Sequence, residues 1–153
     1  MKVVQTLSVV EKAVFLMQTD IFKSLATDEV ALIAVKSTEN EFEAGELVER
    51  GSEAGRSFHV VIQGAVEVSR SSTVFRRATK GMYFGLLPLL EIQGDEEVRA
   101  VEPTHTLVLS CENFKQAVAD NPQFALTMIR SVATMALNFA QRVEELEKAE
   151  AGR

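Results

Sequence analysis

Residues 44–68, "AGELVERGSEAGRSFHVVIQGAVEV", set four glycines around short runs of strand composition. In "AVEVSR", starting at Ala65, strict alternation puts Val66 and Val68 on one face and Glu67 and Ser69 on the other. That pattern predicts a strand dry on one side and wet on the other. Working outward, "ELVER", "FHVVI", "TVFRR", "VRAVE" and "THTLVLS" repeat the composition at the interval expected of a sandwich or barrel. Seven of the eight glycines fall between Gly45 and Gly94, so the turns are concentrated in the middle of the chain. The middle is β.

The flanks read as helices. Ser8 with Glu11 three residues on makes a capping box ahead of "KAVFLM". Thr27 followed by Asp28 and Glu29 places a cap and two acids at the start of "EVALIAVK". Ser110 caps a short "CENFKQAVA" segment, and Asn121 before Pro122 starts a last helix that runs to about Ala149. The expectation is one domain over 1–153, with N-terminal helices at 1–36, a jelly roll at 37–110 and C-terminal helices at 111–150. In fold class it is mainly β with flanking helices.

In the last helix Ala125, Ile129, Val132, Ala136, Phe139, Val143 and Leu146 follow one another at spacings of 4, 3, 4, 3, 4 and 3. This heptad seam predicts a symmetric two-helix dimer, because beyond residue 140 only the seam stays apolar and a lone helix would leave it wet. The competing reading is one helix packed on its own barrel with a charged tail.

A chain of 153 residues can bury a sizeable core without metal or disulfide staples. Cys111 is the only cysteine, so no internal bridge forms, which fits a reducing cytoplasm. No apolar run approaches the roughly 20 residues of a membrane span. A net charge of −6 argues against broad phosphate-backbone binding, and the small basic group Arg70, Arg76, Arg77 and Lys80 reads as a solvated hairpin rim. Direct DNA binding is therefore not expected.

Helix, "DIFKSLATDEVALIA", the stretch quoted first, "KGMYFGLLPLLE", then "VRAVEPTHTLVLSCENF": this order of pieces resembles the cyclic nucleotide-binding domain family, over about residues 10 to 146. Gly45, Gly51, Gly64, Gly81 and Gly85 each stand at an expected turn. The resemblance implies an eight-stranded jelly roll (double-stranded β-helix) with helices before and after, the last helix forming the dimer contact.

The same resemblance implies a phosphate-binding cassette in "YFGLLPLLEIQGDEEVRAV", residues 83–101. In the family it reads Phe-Gly-Glu-x-Ala-Leu and, further on, Arg-x-Ala-x-Val. The glutamate holds the ribose hydroxyl and the arginine pairs with the cyclic phosphate. Here Phe84 and Gly85 match, but Leu86 stands in the glutamate position and Gly94 in the arginine position, with Glu96 and Glu97 in the small-residue places. Losing one partner of a buried charged contact costs about 2–5 kcal/mol, and about 1.4 kcal/mol is tenfold in affinity. Acids facing the pocket would add repulsion. Binding of cAMP or cGMP is accordingly doubtful and would need Arg99 or Arg56 as a substitute; otherwise Arg99 is an outward strand residue paired with Glu97. The pocket residues are then Phe84, Gly85, Leu86, Leu87, Gly94 and Arg99, with Phe139 and Asn138 where the family's final helix covers the base. Leu86, Leu87, Leu89 and Leu90 leave two possibilities, a packed cradle or one open to a less polar ligand.

Other chemistry has little support. Cupin-type metal enzymes need two or three histidines and a carboxylate converging inside the barrel, and only His59 and His105 exist. Either could serve as a haem ligand, yet each reads first as a strand residue with an ordinary hydrogen bond. Cys111 at a helix start could carry a favoured thiolate, but reads first as a small apolar residue. No cofactor or catalytic residue is expected. The reading is a cytoplasmic, non-enzymatic regulatory module, a homodimer through its last helix with a possible protein partner. A small-ligand sensor with an unusual pocket stands second, a cupin-type enzyme third.

Overall fold

The computed structural model describes residues 1–51 and 57–152. Nine strands form two antiparallel sheets: β1 (Lys2–Val4), β2 (Thr38–Phe42), β3 (Leu47–Arg50), β4 (Ser57–Gln63), β5 (Ala65–Arg70), β6 (Thr73–Thr79), β7 (Tyr83–Phe84), β8 (Glu96–Ala100) and β9 (Thr104–Ser110). The orders are β1-β2-β9-β4-β7 and β3-β8-β5-β6. Five helices complete the chain: α1 (Val9–Met17), α2 (Thr27–Lys36), α3 (Leu86–Leu89), α4 (Cys111–Asp120) and α5 (Pro122–Ala151). The jelly roll with flanking helices is as expected, but the described residues form nine strands rather than eight. The extra strand is β1, inside the segment expected to be helical: Val3 and Val4 favour extended backbone, and Lys2 pairs opposite Glu41 on β2, a favourable cross-strand charge pair.

Sheet burial follows residue pattern. In β5, Val66 and Val68 are buried while Glu67 and Ser69 are half-exposed. β4 differs, because residues 57–62 are all buried. Its Phe58, Val60 and Ile62 join α1, α2, α4 and α5 in one apolar cluster with Leu16, Phe22 and Phe124. Its Val61 joins Val66, Val68, Ala78, Phe84 and Val98 between the sheets. Phe22 meets Phe58 edge-on at 5.2 Å between ring centroids, a geometry that adds to area burial.

The helix starts are capped in two ways. Ser8 accepts from the Glu11 amide while the Glu11 carboxylate accepts from the Ser8 amide, as expected. In α2 the cap position is Ala26 instead of Thr27, and the Glu29 carboxylate alone accepts from the Ala26 amide. Ser110 caps α4 by accepting from the Asn113 amide. Asn121 occupies the cap of α5, but its side chain makes no cap bond, so Pro122 at the first helical position carries that start.

α5 changes character along its length. Phe124, Met128 and Ser131 are buried, and Val132 and Met135 pack partly against the core. From Ala136 to Gly152 every residue is exposed.

The N-terminal segment is fastened to the roll by one buried acid. Glu39 accepts from the Thr6 amide and hydroxyl (2.6 Å to the latter), from the Leu7 amide (3.1 Å) and pairs with His105 Nε2 (3.0 Å). Burial alone would raise its carboxyl, yet the hydrogen bonds from Thr6 and Leu7, helped by His105, hold it below its ordinary 4.5. A depressed folded-state value contributes stability that is present above 4.5 and lost as pH falls through the folded value. Glu39→Gln should therefore lower stability near neutrality by about 1–3 kcal/mol and flatten the acid limb of a stability-against-pH curve from urea melts. An unchanged acid limb would refute the assignment.

Candidate functional site

The bend after β7 is built by backbone. Gly85 has φ +86° and forms the N-terminal cap of the single-turn α3. A Cβ there would lie 2.2 Å from the Ser57 carbonyl oxygen, so no other residue fits both the dihedral and the space. Phe84 is buried, paired with His59 in register, and its ring stacks on the imidazole at 4.6 Å and 10°.

Leu86 is half-buried against the helix-side core and Leu89 is fully buried in it, while Leu87 and Leu90 remain exposed. Two cavities, of about 750 and 430 Å³, are lined by other residues. Gly94 precedes β8, and its carbonyl oxygen would lie 2.3 Å from a Cβ on Gly51. That approach brings the start of β8 against the end of β3.

The acids thought to repel an anion are engaged elsewhere. Asp95 and Glu96 each lie 3.0 Å from Arg70 nitrogens. Glu97 accepts from Arg99 at 2.8 Å and lies 3.6 Å from Arg50. The Arg99 hydrogen bond is the main cause that holds the Glu97 carboxyl below its ordinary value, with Arg50 adding to it. Arg99 also donates to the Gly45 carbonyl. It is an exposed strand residue paired with Glu97, and Arg56 lies outside the described residues. Phe139, on the free part of α5, is 71% exposed.

One of the four rim cations is misplaced by the sequence reading. Arg76 is half-buried rather than solvated: it donates to the Tyr83 carbonyl, and its guanidinium lies 5.6 Å from the centroid of the Tyr83 ring. The register explains this, because Arg76 pairs with Val68 and shares its face with the buried Ala78. Burial raises the Tyr83 hydroxyl, partly offset by Arg76 and reinforced by Asp20.

His59 is the hydrogen-bonded strand residue expected, but its carboxylate partner, Glu49, escaped the sequence. His59 is 2% exposed; its Nδ1 lies 2.9 Å from Thr106 Oγ1 and its Nε2 2.8 Å from Glu49 Oε1. Glu49 also accepts from the Ser57 amide at 3.2 Å. "LVER" gave no warning because the register shifts between Leu47 and Glu49. The shift lets Val48 pack on the inter-sheet cluster while Glu49 reaches His59. The signal available was a glutamate and a histidine on two predicted strands. The two imidazoles do not converge, since His105 ends on Glu39. Cys111, half-buried, directs its thiol to the Leu89 carbonyl at 3.6 Å.

Gly85→Ala should lower stability by about 2 kcal/mol or more, the left-handed dihedral alone accounting for about 1–2. Thermal melts of purified protein read this directly. A neutral result would show that β7 and the Ser57 carbonyl can separate freely.

Comparison with known proteins places this geometry. The family model described as "Cyclic nucleotide-binding domain" matches residues 39–121. A Bradyrhizobium diazoefficiens protein named Glutaminase 2 is 29% identical over 127 residues, covering 82% of this chain and 20% of its own length. The chain thus spans about a fifth of that curated relative. Catabolite Activator Protein from Thermus thermophilus superposes with a TM-score of 0.66 at 21% identity, over 84% of this chain and 63% of that one. The N-terminal domain of a transcriptional regulator from Streptomyces coelicolor A3(2) gives 0.73 at 17% identity, over 84% and 94%.

Proposed function

We propose, for a chain that belongs to the cyclic nucleotide-binding domain family, a non-enzymatic regulatory module that no longer binds cAMP or cGMP tightly and acts as a homodimer through α5. The observation that supports this reading is Leu86. At the head of α3, where the family's ribose-binding glutamate stands, it turns against the apolar core with Leu89 behind it. Gly94 in the arginine place supplies no charge, and Glu49 adds a carboxylate inside the roll. The pocket residues proposed are Phe84, Gly85, Leu86, Leu87 and Gly94, with Arg99 and Phe139 at its margins.

The proposal extends to residues 1–153 working as one unit in the cytoplasm. Among the described residues no helix is long and apolar enough to cross a membrane. Most of Glutaminase 2 lies outside the region of similarity, so its name lends no activity to this chain. It supports only the idea that such a module serves a larger protein or a protein partner.

Calorimetric titration with cAMP, cGMP and cyclic dinucleotides should give no binding tighter than about 10 μM, a loss of several kcal/mol relative to a well-anchored ligand. The double variant Leu86→Glu with Gly94→Arg should gain affinity for cAMP. Tight binding by the unmodified protein would overturn the reading. It would then favour a sensor in which Arg76, already at the bend, replaces the missing arginine.

Support for the dimer comes from α5 itself. Ile129, Phe139 and Leu146 are each more than 60% exposed, with Ala136 and Val143 between them on one band and Val132 at its inner edge. Such an apolar strip on a helix that outruns its own core calls for a cover. Light scattering should give a dimer mass, and Ile129→Glu with Val143→Glu should give a monomer that keeps its fold by circular dichroism. A monomeric parent protein would refute the arrangement.

A further inference from the structure

A cavity of about 430 Å³ lies between the turn joining α1 to α2 and the inner flank of α5, away from the bend at Gly85. Its floor holds Ser131, which is 7% exposed and whose hydroxyl has no hydrogen-bond partner. A buried hydroxyl without a partner costs about 1–3 kcal/mol, and a helical serine ordinarily avoids this by bonding to a carbonyl one turn back. This one does not, and it lines an opening.

The walls sort into donors and acceptors. Arg130, exposed, makes no ion pair or side-chain hydrogen bond among the described residues, and Lys23 is held 3.3 Å from Asp20 at the rim. These cations stand against a single carboxylate, in a chain whose net charge is −6. Thr127 and Thr134 already donate their hydroxyls to the carbonyls of Gln123 and Arg130. Toward the cavity they have only lone pairs left, as acceptors. A ligand satisfying this set carries an anionic head for Arg130, Lys23 and Ser131, and hydroxyl donors for Asp20, Thr127 and Thr134.

We propose that this cavity, whose lining includes none of Phe84, Gly85, Leu86, Leu87 and Gly94, binds a small phosphorylated polyol or sugar. Bidentate pairing with a free guanidinium suits a phosphate monoester. The site survives dimerisation, because Thr127, Arg130, Ser131 and Thr134 lie on the flank of α5 opposite Ile129, Ala136 and Val143 at 100° per residue. Its occupant would bridge α5 and the α1–α2 turn, and so fix the angle at which α5 leaves the core.

The test is titration of the full chain with glycerol 3-phosphate, glycerol and inorganic phosphate, followed by amide NMR shifts and calorimetry. Glycerol 3-phosphate should saturate shifts in residues 20–24 and 127–138 with a Kd below about 1 mM, bind more tightly than phosphate, and persist in excess cAMP. Arg130→Gln should weaken binding about tenfold or more. Ser131→Ala should weaken it while leaving the melting temperature equal or higher, the opposite of what a purely structural serine would give. Any of three results would overturn the site: no saturable shift, affinity for phosphate equal to that for the ester, or unchanged binding in both variants.

Discussion

Both faces of β4 must be dry, and this constraint organises the rest of the molecule. Phe58, Val60 and Ile62 point to the helices, and His59 and Val61 point between the sheets. A strand buried on both sides can hold a polar side chain only if that side chain finds its partners indoors. His59 does so with Thr106 and Glu49, one from each sheet. The same strand therefore joins the helical layer to the roll and pins the two sheets to each other. Phe84 stacks on that imidazole, so the bend at Gly85 inherits its position from β4.

The electrostatics of the bend follow from this scaffold more than from the local acids. Asp95, Glu96 and Glu97 are neutralised by Arg70, Arg99 and Arg50 along the outer surface, where exposed pairs contribute little. What an anion would meet inside the roll is Glu49, and what it would meet beside Tyr83 is Arg76. The character of the site is thus set by two charges on the opposite edge strands, β3 and β6, of one sheet, and by leucines that exchange polar recognition for packing.

The period-two pattern made the roll legible: β5 and β9 occupy the residues that alternation and composition mark, and the Ser8 and Ser110 caps stand where the chain announces them. Three things were hidden, each for a physical reason. β1 is three residues long and gains its extended form from pairing with β2, a nonlocal partner. Thr27 yields the cap of α2 to Ala26 because Glu29 reaches back to the backbone on its own. Glu49 and Arg76 turn inward through a register shift and a face assignment that no short window reveals. Of the cassette, Phe84 and Gly85 were readable as geometry, whereas the fate of Leu86 depended on what packs behind it.

The 30-residue α5 is about 45 Å long at about 1.5 Å per residue, yet only its first part, through Met135, is gripped by the core. It is a lever with a short arm indoors and a long arm outside. Rotation by about 10° at the gripped end would carry the free tip through about 4 Å, on a length of about 24 Å beyond the core. Repacking of a single methionine at the fulcrum, Met128 or Met135, would thus be amplified into a displacement that a neighbouring chain could read.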